Sequence, residues 1–207
     1  MLAVVIPTRG DRGEFLDFAL KQILMQTKQP DIIEIVDYPP RSHDKDITER
    51  YKYGIRNAVK KGAECIVFWE DDDYYQPDYI AYMYAEWVQH GKPDLLGIDY
   101  TYYYHLGVKG VHYQSHEKRA SMFCTMVSKN CIDYPMPANN YAFADLFIWS
   151  KWKGVTVRPE IIMAIGIKHG VGMSGGSGHK RTNIYTPDTN FLKEHCTPEA
   201  YEFYQSI

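Results

Sequence analysis

The chain has 207 residues, enough for one well-filled core or a main domain with a small appendage, and its 45% hydrophobic and 24% charged residues are the balance of a soluble globular protein. A formal net charge of −3 supplies no bulk attraction to nucleic acid or an anionic membrane, and no apolar run reaches the length of a transmembrane helix. Cys65, Cys124, Cys131 and Cys196 have neither disulfide-framework nor zinc spacing, and the first residues lack the basic lead of a signal peptide, so a cytoplasmic protein is expected.

In chain order, Leu2 to Pro7 is a continuous apolar strand. Thr8 to Gly13 is a loop with glycines for tight turning and two arginines for an anion. Phe15, Leu16, Ala19, Leu20, Ile23 and Leu24 recur at helical spacing between Glu14 and Gln26. Ile32 to Val36 is a β-branched strand with Asp37 at its carboxyl end. A second helix is expected from Asp46 to Lys61, stopped by Gly62. Cys65 to Trp69 is then an unbroken apolar run, a strand buried on both faces, and Glu70, Asp71, Asp72 and Asp73 follow it directly. A helix is expected from Pro77 to about Gln89. Beyond Gly91 the character shifts: Leu95 to Tyr104, Val111 to Gln114 and Ala120 to Val127 read as strands of an antiparallel or mixed half. Asn139 to Lys153 reads as a helix, Val155 to Val157 as a short strand, residues 166–183 as a glycine-rich loop holding His169 and His179, and Pro198 to Ile207 as a terminal helix.

Strand, helix, strand, helix, strand is the pattern of a parallel sheet wrapped by helices, and ligands of such sheets lie beyond the carboxyl ends of the strands. Thr8, Arg9, Asp37 and the four acids fall at that edge. Four adjacent carboxylates repel one another, and a divalent cation relieves the repulsion. While the chain is extended, alternate side chains converge, so Glu70 with Asp72 or Asp71 with Asp73 can share an ion. Hard oxygen ligands with no thiolate nearby suit Mg²⁺ or Mn²⁺. The plainer reading is a solvated acidic turn capping the next helix.

Val4 to Arg9, the segment Ile33 to Asp37, Gly54 to Ala58 and above all Phe68-Trp69-Glu70-Asp71-Asp72-Asp73-Tyr74-Tyr75-Gln76-Pro77 resemble the family-two glycosyltransferases, nucleotide-sugar enzymes of the GT-A fold. The resemblance implies an α/β domain spanning the chain: a mainly parallel, Rossmann-like sheet flanked by helices, with residues to about 92 binding the nucleotide-sugar and a smaller mixed or antiparallel acceptor-side half after it. It implies donor contacts from Pro7, Thr8, Arg9, Asp37, Arg56, Asp71, Asp72 and Lys168. It further implies Mn²⁺ or Mg²⁺ on Glu70, Asp72, Asp73 and His169. Glu70 stands where the family more often has Asp, which leaves Glu70 or Asp71 as the first partner of the motif. Ala144 to Trp149 is similar to the segment that supplies the family's catalytic base, here Asp145. Tyr102, Tyr104, Trp149 and His179 are the expected acceptor contacts, the aromatic rings as stacking surfaces for flat sugar faces. The expected activity is transfer of a sugar from a nucleotide-diphosphate donor to a carbohydrate or other hydroxyl acceptor, inverting if Asp145 is the base. Retention follows instead if a late His completes the metal site. A sugar-phosphate nucleotidyltransferase and a non-catalytic sugar-nucleotide-binding module are the alternatives, and a nucleic-acid acceptor is not indicated by the charge.

Overall fold

Strand β1 (Leu2–Pro7) is buried at all six positions and pairs in parallel with β2 (Ile32–Val36) on one side and β3 (Cys65–Phe68) on the other. The computed structural model describes residues 1–8, 12–37, 46–133, 136, 143–170 and 182–207. Helix α1 (Gly13–Leu24) links β1 to β2, and α2 (Ile47–Lys60) links β2 to β3. Gly54 lets α2 lie directly on the sheet, because a Cβ there would come within 2.4 Å of Val5 Cγ1. The sheet continues β2-β1-β3-β8-β5-β9, with β5 (Leu95–Ile98), β8 (Thr125–Ser128) and β9 (Val155–Val157) supplied by the second half of the chain. Only β8 runs against the rest. The α/β class with a mostly parallel sheet is thus as the sequence pattern requires.

A second sheet has the order β11-β7-β6-β10-β4, from β4 (Tyr74–Tyr75), β6 (Tyr100–His105), β7 (Gly110–Ser115), β10 (Ala164–Lys168) and β11 (Thr186–Pro187). Helix α3 (Tyr79–Gln89) precedes β5, α4 (Ala144–Lys151) precedes β9, and α5 (Phe191–His195) and α6 (Pro198–Ser206) close the chain. No helix among the described residues is long and apolar enough to cross a membrane.

Three expectations are corrected. The run Leu95 to Tyr104 is two strands in different sheets, broken at Asp99. There the backbone N–H donates to Val157 O (3.2 Å) and the carbonyl accepts from His116 N–H (2.7 Å), which turns the chain out of the first sheet. The first part of Ala120 to Val127 is a 3₁₀ turn (Met122–Cys124), because Ser121 O accepts both the Cys124 N–H and the Thr125 hydroxyl. Gly166, Ile167 and Lys168 belong to β10 and are not loop; β10 pairs in parallel with β6, and Gly166 and Ile167 are buried. Of the helix expected from Asn139, the part up to residue 142 lies outside the described residues.

Candidate active site

The acidic turn joins the two sheets. Trp69 N–H still donates to Val5 O (3.0 Å), holding the end of β3 against β1, and after four carboxylates β4 pairs antiparallel with β10. Two glutamines four residues apart fix the backbone between. Gln22 donates to Asp73 O (3.1 Å) and accepts from Tyr75 N–H (3.0 Å), while Gln26 donates to Gln76 O (2.8 Å) and accepts from Ile80 N–H (2.9 Å). From the far side, Asp73 Oδ1 accepts the Ile167 N–H (2.8 Å), and Tyr204 of α6 donates to Asp72 O (3.4 Å).

This turn breaks the alternation of an extended chain, and the acids sort accordingly. Asp71 faces β1 and α1: the Thr8 hydroxyl donates to its Oδ2, and Arg12 Nη2 donates to its Oδ1 at 2.6 Å. Arg12 also reaches Asp72 Oδ2 (2.8 Å), which is 2.9 Å from His169 Nε2. Glu70, Asp72 and Asp73 each place one oxygen within 4.8 Å of the others. Glu70 Oε1 accepts the Tyr51 hydroxyl (2.9 Å). Asp73 Oδ2 is buried with no partner among the described residues. Three converging oxygens and one orphaned carboxylate atom fit a hard divalent cation. Glu70, Asp72 and Asp73 are the residues that could hold it. His169 lies outside this trio, with its Nε2 2.9 Å from Asp72 Oδ2 and its ring 4.6 Å from that of Phe15.

Charge in this pocket is shaped by burial. Burial and the neighbouring Asp72 push Asp71 up to about 7, against the pull of Arg12 and Thr8. Burial likewise raises Glu70, and raises Asp73 well above the carboxylate range. For Asp72 the burial penalty is outweighed by the His169 hydrogen bond and the Arg12 and Lys168 charges, so it stays below its usual value. Lys168 shows the mirror case: burial opposes its charge, but Asp73 and the other acids more than compensate.

Asp145 stands in the first turn of α4, mostly buried, where Arg119 Nη1 contacts its Oδ2 at 2.9 Å. Burial raises its affinity for a proton and Arg119 opposes that rise. Its negative charge adds to the upward shifts of Glu70, Tyr51 and Tyr103. Pro7 and Thr8 end β1 next to Val36, whose carbonyl accepts the Thr8 N–H (3.0 Å), and Asp37 is exposed at the adjoining end of β2. Arg56 is exposed on α2 and lines a cavity with Lys52, Cys131 and Asp133.

The residues expected to stack on a sugar do not share one surface. Strand alternation turns Tyr102 and Tyr104 to the face of β6 opposite Lys168, where both pack on Phe191 at 5.6 and 5.9 Å and Tyr104 is 2% exposed. Trp149 is a core residue whose indole N–H donates to Thr125 Oγ1 (3.2 Å). The ring that does face Lys168 is Tyr103, with Nζ 4.9 Å from its centroid. Arg9 and His179 lie outside the described residues. Arg12 was visible in the sequence only as one of two arginines in the first loop, and nothing in the spacing separates the pair.

No protein-family model and no curated protein sequence matches the chain. Solved structures do. The 1–349 fragment of TarS from S. aureus in complex with UDP superposes with a TM-score of 0.56 at 12% identity, over 80% of this chain and 60% of that one. The UDP-GlcNAc complex of the fragment gives 0.55 at 13% identity, over 84% and 60%. A glycosyltransferase involved in the glycosylation of the major capsid of PBCV-1 gives 0.51 at 9% identity, over 86% and 97%. The chain thus spans about three fifths of the TarS fragment. What it shares with these proteins is the fold: a mixed α/β domain with a six-stranded, mostly parallel sheet flanked by helices.

Proposed function

We propose that this chain transfers a sugar from a nucleotide-diphosphate donor to an acceptor hydroxyl, with a divalent cation, Mn²⁺ or Mg²⁺, on Glu70, Asp72 and Asp73. The observation that carries the reading is the acidic turn itself, three carboxylates drawn together where two sheets meet, with a buried Asp73 oxygen lacking a partner among the described residues. A glycosyltransferase fold, and the UDP and UDP-GlcNAc held by the S. aureus neighbour, support a uridine nucleotide as the first donor to try. When bound, the cation would neutralise charge on the departing diphosphate. Arg12 and Lys168 flank the same turn and share that task, while Asp37, exposed at the end of β2, grips the base and ribose. Asp145 takes the acceptor proton: burial lifts it towards neutrality, where a base is most effective, and Arg119 holds one of its oxygens in place. His169 bonds Asp72 rather than joining the carboxylate trio, which favours an inverting reaction over the variant that relies on a late His.

A thermal-shift panel of sugar nucleotides with and without Mn²⁺, run on the wild type and Asp72→Asn, tests this. A ligand that binds only the folded state raises the midpoint according to its affinity. The wild type is expected to respond to nucleotide-sugar and metal together. Asp72→Asn should stay folded, since Asn keeps the size and Arg12 keeps Asp71, but should lose the metal-dependent part. No response of the wild type to any donor at millimolar concentration would overturn the proposal.

A further inference from the structure

Strands β6 and β10 lie parallel with Tyr103 opposite Gly166. A Cβ on residue 166 would stand 2.5 Å from Tyr103 Cδ1 and 2.7 Å from Cε1, so the ring rests against bare backbone that only glycine leaves open. Its hydroxyl is 3.1 Å from Ser121 Oγ, which in turn is 3.1 Å from His116 Nε2 and 2.8 Å from Thr101 Oγ1. Thr101, His116 and Ser121 are all buried, so the phenol is anchored at its tip and wedged along its edge. Lys168 Nζ sits over this ring, 4.9 Å from the centroid, and forms no ion pair among the described residues although four carboxylates occupy the neighbouring turn. An ammonium on a flexible four-carbon stem settles on the nearest carboxylate unless something holds it elsewhere.

We infer that Tyr103 is a positioning residue: its ring face keeps the Lys168 ammonium out of the acidic turn and directs it to the diphosphate of a nucleotide ligand, with Ser121, His116 and Thr101 as the anchor. The inference rests on the nucleotide-sugar reading above and adds the element that sets its phosphate contact. The attraction of an ammonium to an aromatic face supplies the holding force, and the glycine opposite supplies the room.

The test is calorimetric binding of UDP, GDP, CDP and ADP and of their monophosphates, with Mn²⁺ present, read as the ratio of diphosphate to monophosphate affinity. Lys168→Met should lower that ratio by roughly 10- to 100-fold, as for loss of a charged hydrogen bond. Tyr103→Leu should lower it by roughly 3- to 30-fold, the range of an ammonium–ring contact, and Tyr103→Phe should keep most of it. Tyr103→Leu added to Lys168→Met should cost nothing more. Gly166→Ala, which displaces the ring without altering it, is the second route to the same loss if Tyr103→Leu does not fold. Equal weakening of diphosphate and monophosphate, or losses that add in full, would show a merely structural ring and overturn the inference alone. A wild type that prefers none of the diphosphates overturns the nucleotide-sugar reading and this inference with it.

Discussion

At Asp145 burial favours the neutral form, and the Arg119 guanidinium, with the backbone N–H groups of Leu146 and Asp145, favours the charged one. In the proposed role of general base it must be ionised, so transfer should fall as pH drops through its raised pKa. Arg119→Met should move that acid limb to higher pH, because it removes the largest influence opposing burial. Asp145→Asn should slow transfer on the order of 10²–10⁴-fold while donor affinity stays near normal, measured by single-turnover transfer beside calorimetry. His116 poses a different problem. It is buried in the hydroxyl network, its Nδ1 has no partner among the described residues, and burial, with Arg119 nearby, lowers it from the usual 6.5 to about 4. A depressed histidine stabilises the fold above its unfolded pKa, and that stability is lost as pH falls through the window from 6.5 to about 4. Denaturant titrations should show a loss of ~2–3 kcal/mol across it, absent in His116→Gln. At this scale the sequence was legible where residues repeat: four successive acids announce themselves without a fold. Tyr103 was not separable from Tyr102 and Tyr104, because which face of a strand looks into the site is decided by the neighbouring sheet.

Helix α1 does more than cover the sheet, since Gln22 substitutes for a strand partner by bonding both a carbonyl and an N–H of the acidic turn. Gln22→Ala leaves Asp73 O and Tyr75 N–H buried and unpaired, at a cost of roughly 2–4 kcal/mol. The same variant should bind Mn²⁺ more weakly, because the turn that gathers the carboxylates is no longer held; calorimetry at a temperature where the variant is folded checks this. Long, periodic elements such as α1, α2 and β1 were readable because their burial pattern is written over several turns or pleats. Strand β4 has two residues and α5 five, too short for any period to register. Strand β10 was obscured for the opposite reason: Gly166 signals a loop by composition, yet the glycine is there because Tyr103 occupies the space a side chain would need.

For the whole molecule, the decisive event is the departure of the chain from the first sheet at Asp99, which the uniform β-rich run from Leu95 to Tyr104 conceals. That departure lets residues far along the chain return to the acids: Ile167 to Asp73, His169 to Asp72 and Tyr204 to the Asp72 carbonyl, at sequence separations of 94, 97 and 132. Translated into kinetics, the pairings of β1 with β2 and β3 close shorter loops than the returns of Ile167, His169 and Tyr204 to the acids, and those returns carry the greater entropy of closure. A chain of this size is expected to fold through populated intermediates. Refolding should therefore pass through a species whose central strands are formed while its carboxylates are still ungathered. Far-UV circular dichroism should recover before Mn²⁺ binding followed by electron paramagnetic resonance, and simultaneous recovery would refute that order. The time at which the protein regains its sheet and the time at which it becomes competent to bind are then two different clocks, the second set by the long returns to Asp72 and Asp73.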